Sequence, residues 1–387
     1  MAESALTRPG QRDRYQNKFV QIDWMLCLMM SLIAGMGGLV LYSVGGMSWE
    51  PWAYDHIFRY GLFFVIMIGL SMVNLSVWLS LSYWIYGASL LLLIAVELFG
   101  KVKMGAQRWL DIGITDIQPS EFMKLAIVLA LARWYHENSA KDANWSWKLL
   151  VPIFMIMMPF TLVAHQPDLG TAMLILITGV AVMIAAGLNW KAIATAVGAG
   201  VVAIPFVFTF VLHDYQAKRI TTFLDPESDP SGSGYHILQS KIAMGSGGLL
   251  GKGLGLGSQS QLNFLPEKHT DFIMAAVSEE LGFVGGASVF LLYGLVIFMA
   301  LRIAMLSHSH FGRLAVAGTI ATFAVYVLIN GAMVMGLAPV VGVPMPLLSY
   351  GGSVMLTVMV AFGLVQGVKV HRYQELPRQN SIFARFE

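Results

Sequence analysis

The feature that most constrains this chain is a series of apolar runs, each about 20 residues long, separated by short polar breaks. Runs of that length match the thickness of a bilayer's hydrocarbon core when wound as helices. Ten are legible, near 22–44, 57–76, 78–98, 119–136, 148–165, 168–187, 191–212, 271–301, 314–337 and 345–368. With 57% hydrophobic and 12% charged residues, the chain falls far below the roughly 25% charge of soluble domains. The fold class expected is an all-α integral membrane protein, a ten-span helical bundle. Residues 1–21 and 369–387 are expected as tails, and 22–368 as one membrane domain.

Basic residues orient the bundle. With the N-terminus in the cytoplasm, the tails and inner loops carry fourteen Lys or Arg, four of them in each tail. The short outer segments carry four: Arg59, Lys101, Lys103 and Arg108. That asymmetry predicts both termini inside. It also puts residues 213–270 outside as one long loop, in which Tyr235–Ala243 has near-helical apolar spacing suited to a membrane interface. The net charge of +2 and the lack of a basic patch exclude a nucleic-acid partner. Cys27 is the single cysteine, so no intramolecular disulfide forms. The nine histidines show no ligand spacing with cysteine, which argues against a histidine metal site.

Charged residues at span ends are the candidates for chemistry. Asn263–Ile273 gathers Glu267, Lys268, His269 and Asp271 at the lip of a long apolar helix. Ionisable groups in that position are costly to desolvate and mark functional sites. Helix capping by Thr270 or Asp271 is the plain alternative. Glu121 and Lys124 open the fourth span three residues apart, so they share a helix face and can neutralise each other. Trp109 falls at a membrane interface, where aromatic anchoring is the default. Asp168 reads as a cap after Gln166-Pro167. Glu279 and Glu280 fall roughly 12 Å of helix rise beyond Asp271, a depth at which a carboxylate must face protein or water. The glycine-rich run 245–257 lacks the Lys-Ser/Thr ending of a phosphate loop. Its N–H groups with Lys252 leave a diphosphate-holding role open.

Five motifs then occur in order: Gln107-Arg-Trp109, Gln118-Pro-Ser-Glu-Phe-Met-Lys124, Gln166-Pro-Asp-Leu-Gly-Thr171, Leu265–Phe272 and Pro346–Ser353. In these the chain resembles the SEDS proteins (shape, elongation, division and sporulation) over nearly its whole length. Residues 261–268 and 341–347 look like the elongation branch, RodA, rather than the division branch, FtsW. The resemblance implies a ten-helix bundle and a peptidoglycan glycosyltransferase that polymerises lipid II at the outer face of the bacterial inner membrane. It implies a class B penicillin-binding protein as partner, within the elongation machinery. The family's essential carboxylate falls on Asp271, its functional tryptophan on Trp109 and its charge pair on Glu121 and Lys124. Asp271 would act as general base on a sugar hydroxyl. Lys124, Lys252, Lys268, Arg219 or a divalent cation would stabilise charge on the leaving diphosphate, with Arg108 beside Trp109 in a supporting place. A lipid II flippase and a non-catalytic scaffold for the penicillin-binding protein are the alternatives. The absence of an internal repeat and the charged motif at the outer mouth weigh against transport.

Overall fold

The structure, a computed structural model, describes residues 18–103, 106–111, 116–138, 147–189, 191–195, 198, 214–229, 232–265 and 267–377. The helices are α1 (Trp24–Val44), α2 (Ala53–Ser71), α3 (Leu75–Phe99), α4 (Pro119–Glu137), α5 (Leu150–His165) and α6 (Leu169–Ala185). They continue as α7 (Asp214–Leu224), α8 (Ser233–Ser246), the single turn α9 (Ser258–Gln261), α10 (Ile273–Leu306), α11 (His310–Val334) and α12 (Gly352–Val370). Among the described residues seven helices are long and apolar enough to cross a membrane. The apolar α6 is shorter, α4 carries four charged side chains, and the expected span 191–212 lies largely outside the described residues.

Local chemistry sets several ends. Asp23 caps α1 by accepting from Leu26 N at 3.3 Å, Asp168 caps α6 at Thr171 N, and Ser309 caps α11 at Gly312 N. Pro119 opens α4, where its missing N–H is harmless. Asp23 also joins α1 to α12: its N–H donates to Gln366 Oε1 at 2.9 Å, and Lys369 pairs with its carboxylate at 3.2 Å. Hence α1 begins and α12 ends at the same end of the bundle. Among those seven, α11 and α12 are the most enclosed, whereas α2 and α3 lie at the periphery.

Four features go beyond the sequence expectation or depart from it. Between α3 and α4 the described residues are not helical: β1 (Lys101–Lys103), β2 (Ala106–Asp111) and β3 (Asp116–Ile117) form a small antiparallel sheet in the order β1-β2-β3. The last span starts at Gly352, not near 345, because Pro344 and Pro346 keep the preceding segment irregular. Helix α8 forms where interfacial spacing was read, but it packs on protein. Its Ser240 hydroxyl donates to Val334 O at 2.7 Å, and Ile237 and Ala243 are buried.

The largest departure is in α10. Gly282 has φ 68° and ψ −165°, a conformation essentially restricted to glycine, and breaks the helix into 273–281 and 283–306. The two pieces fold back on each other. Asp271 and Phe290 touch adjacent residues of α11, Asn330 and Gly331, although a straight helix would hold them roughly 28 Å apart. Gly286 likewise lies within reach of Ser278 and the Met274 methyl. Glu279 and Glu280 therefore do not descend into the bilayer from Asp271. The hairpin carries them back to the level of Ser43, at the end of α1.

The break exposes backbone groups that the glycine-rich run satisfies. Glu279 O and Glu280 O accept from Lys252 N (3.0 Å) and Gly253 N (2.9 Å). Phe283 N and Val284 N donate to Gly248 O (2.9 Å) and Leu249 O (3.1 Å). The amides of Lys252 and Gly253 are thus engaged with the break. Gly251, at φ 81°, lies against the Glu280 carbonyl and Gly282 N, where any Cβ would clash. Gly251→Ala and Gly282→Ala are each expected to destabilise the fold by about 1–3 kcal/mol through strain and overlap. Gly245→Ala, in open space on α8, should not. Thermal unfolding in detergent compares the three; equal midpoints would refute the capping role of the run.

Candidate functional site

The segment leading into α10 is a tight turn pinned from two sides. Glu267, at φ 50°, accepts at its carbonyl from Thr270 N (3.1 Å) and Phe272 N (3.2 Å), and its carboxylate accepts from the Thr270 hydroxyl at 3.1 Å. On one side Asn330 of α11 donates through its Nδ2 to Asp271 O (2.7 Å) and Val343 O (2.6 Å). On the other, Ser349 Oγ donates to Thr270 O (2.6 Å) and Tyr350 N to His269 O (2.9 Å). His269 stacks on Trp52, ring centroids 4.5 Å apart and planes within 10°. Gly342, at φ 73°, faces Asp271, and a Cβ there would stand 3.6 Å from Oδ2.

These contacts hold the backbone and leave the Asp271 carboxylate unspent. The N-cap of α10 is Phe272, and no side chain makes a capping bond there. Thr270 turns its hydroxyl to Glu267 instead. Asp271 is thus not the helix cap that its sequence position suggested. Burial pushes its carboxyl up to about 6; the Glu267 charge pushes the same way, and the Arg219 guanidinium of α7 opposes both. Burial also lowers the His269 imidazole, which favours its neutral form.

Glu121 and Lys124 meet as expected, with a third partner the sequence did not suggest. Lys124 Nζ donates to Glu121 Oε1 at 2.6 Å and to the Tyr326 hydroxyl, which in turn donates to Glu121 Oε2 at 2.6 Å. All three side chains are buried. Tyr326 is one turn from Asn330 on α11, so one helix face touches both the charge pair and Asp271, about 6 Å of rise apart. Beside the pair a small cleft of about 40 Å³ lies between α4, α11 and α12, lined by Thr319, Phe323, Thr357 and Phe362 among others.

Arg108 of β2 donates to Pro167 O, and its Nε lies 3.7 Å from Asp168 Oδ2, which also accepts from Gln118 Nε2 at 3.4 Å. Gly170 packs against Val341 O, next to Gly342, and so brings this group to the loop that faces Asp271. Trp109 sits beside Arg108 on β2, at the register of Lys101. The other two candidates are committed elsewhere. Lys252 pairs with Glu279 at 2.8 Å, at the far end of the 273–281 helix from Asp271. Lys268 is buried and donates to Ser260 O at 2.6 Å. Among the described residues no three His, Cys, Asp or Glu side chains cluster as metal ligands.

Sequence reading missed Tyr326 and Asn330. The available signal was a pair of hydrogen-bonding side chains at i, i+4 in an otherwise apolar span, which places both on one buried face.

Comparison with known proteins agrees with this architecture. The FtsW, RodA and SpoVE family, described as cell cycle proteins, matches residues 18–374. The peptidoglycan glycosyltransferase MrdB of Escherichia coli K12 is 42% identical over 357 residues, spanning 91% of this chain and 95% of its own. A chain from a peptidoglycan synthase complex that coordinates polymerization and crosslinking superposes with a TM-score of 0.80 at 29% identity, covering 91% of this chain and 99% of that one. The rod shape determining protein RodA of Thermus thermophilus gives 0.69 at 27% identity, with 91% and 98% covered.

The buried charge pair is open to a direct test. Glu121→Ala or Lys124→Ala alone strands the other charge in a dry site, a loss of about 3–5 kcal/mol, while the double change should cost less than either. A double-mutant cycle on detergent unfolding reads the coupling, and strict additivity would refute mutual neutralisation.

Proposed function

The chain belongs to the FtsW, RodA and SpoVE family and is a peptidoglycan glycosyltransferase, and we propose that Asp271 is its general base in strand polymerisation. The observation that carries this is a partly exposed carboxylate at the head of a helix that it does not cap. Its proton affinity is raised to about 6. A base of that strength is largely ionised at neutral pH and still strong enough to assist a hydroxyl.

The reaction follows from bond accounting. The 4-hydroxyl of the acceptor sugar attacks the anomeric carbon of the lipid-linked chain. The bond from that carbon to the diphosphate oxygen breaks, the diphosphate leaves with the electron pair, and the hydroxyl proton passes to Asp271. Charge grows on the diphosphate and calls for a fixed cation. Of the cations named from the sequence, Arg219 has the support of its electrostatic effect on Asp271. Lys252, Lys268 and Lys124 are engaged with Glu279, Ser260 O and the Glu121–Tyr326 pair. Arg108 and Trp109 serve as a supporting edge on β2, and the Glu121–Lys124–Tyr326 group sets the position of α4 against α11.

The substrate in this reading is lipid II, approached from the periplasmic side of the inner membrane, where the basic-residue asymmetry puts this end of the bundle. A class B penicillin-binding protein is the proposed partner. The likeness of 261–268 and 341–347 to the elongation branch supports a role in cell elongation and rod shape.

Asp271→Asn is expected to fold, bind the partner and lose strand synthesis by about 10²–10⁴-fold, because Asn keeps the shape but not the base. Labelled lipid II, polymerised by the purified complex, provides the assay; wild-type rates in the variant would exclude Asp271 as base. The rate should also fall as pH drops through about 6, as Asp271 takes up a proton. Glu267→Gln removes a charge that holds that value up, so the acidic limb should move to lower pH. An unmoved limb would mean that another group titrates.

A further inference from the structure

The hairpin tip presents an apolar surface that the polymerase reading does not use. Leu249 and Leu250 are 72% and 81% exposed, and Leu256 is 68% exposed. The tip is nevertheless not built like a solvent loop. Lys252 is the single charged residue between 245 and 265, and its ammonium is paired with the fully buried Glu279 at 2.8 Å and with Ser258 Oγ at 2.9 Å. Backbone groups of 248, 249, 252 and 253 bond to the two broken ends of α10. A segment with its charge neutralised and these polar groups satisfied internally can enter a medium that supplies few hydrogen bonds.

Its surroundings identify that medium. Val284 donates its N–H to Leu249 O and is itself exposed, as is Phe283. Val284 heads a row spaced by seven, Leu291, Phe298 and Met305, all exposed along the membrane-spanning half of α10. The leucines of the tip continue this lipid-facing row beyond the end of the helix.

We propose that residues 248–256 are a membrane anchor, with Leu249, Leu250 and Leu256 inserted in the leaflet on the Asp271 side. The anchor fixes the height of the hairpin, and with it the depth of the 267–271 turn, relative to the lipid surface. This inference is independent of the role given to Asp271.

The test uses the full chain carrying Cys27→Ser and a single new cysteine, Leu250→Cys or Leu256→Cys, labelled with an environment-sensitive fluorophore. The protein is reconstituted in phosphatidylethanolamine–phosphatidylglycerol vesicles. Leu291→Cys serves as the lipid-facing reference and Glu227→Cys, on an exposed turn, as the aqueous one. Doxyl-labelled lipid is expected to quench both tip probes as it does the Leu291 probe, while iodide quenches only the Glu227 probe. Iodide quenching of the tip probes to the Glu227 level, with no effect of doxyl lipid, would overturn the proposal. So would protection that arises only when a penicillin-binding protein is added, which would assign the surface to a protein partner.

Discussion

A backbone break inside a long apolar helix must find hydrogen-bond partners within the protein, and this fold is arranged around that requirement. Gly282 ends one helix and starts another within a single residue. The carbonyls of 279 and 280 and the amides of 283 and 284 would each be expensive to leave bare away from water. The glycine-rich run supplies the partners because its positive-φ residues, Gly248, Gly251 and Gly253, let the backbone approach closely. Glu279 completes the closure from below. Fully buried, it accepts from Lys252, from Gln259 N and from both Ser260 donors. A buried carboxylate with that many donors is stable as an ion, which makes it a structural clamp.

The consequence is the height of Asp271. Without the reversal it would stand at the top of a helix 34 residues long. With it, the 267–271 turn lies beside Asn330, below the level of the hairpin tip. There α11 acts as a spine, and its two side chains Tyr326 and Asn330 join the Glu121–Lys124 pair to the backbone of the turn. The loop between α11 and α12 closes the other side through Ser349 and Tyr350. Such over-determined backbone placement leaves the carboxylate itself uncommitted, which is the property a base needs.

The chemistry proposed fits that division of labour. The charges Glu121, Lys124 and Glu279 are buried and paired, and Lys252, partly exposed, pairs with Glu279. Glu267 and Arg219, both partly exposed, act on the proton affinity of Asp271 in opposite directions. A carboxylate tuned by one near anion and one near cation responds to a substrate diphosphate, since a new negative charge beside it raises its affinity for the proton further.

Most of the bundle was legible because bilayer thickness imposes a length on every apolar run. The limits of α1, α4, α5 and α6 fall within about two residues of the sequence reading. The Glu121–Lys124 pair was legible because it is local, set by a three-residue spacing on one helix. The family motifs marked Asp271 and Trp109 for the same reason: they are contiguous words. What sequence could not express was the reversal at Gly282, since a glycine within an apolar run is common in membrane helices and only its tertiary contacts demand a left-handed turn. The joining of Asp271 to Tyr326 and Asn330 was hidden too, as was the commitment of Lys252 to Glu279. Each is a contact between residues far apart in the chain, and periodicity reports only on neighbours. By itself, then, the sequence determined that the chain is a bundle of apolar helices, their chain order and the candidates for chemistry, through bilayer length, local spacing and contiguous motifs. The depth of the carboxylate, its freedom from capping and the cation beside it were decided by tertiary structure alone, because long-range packing sets which polar groups are satisfied and which are left to react.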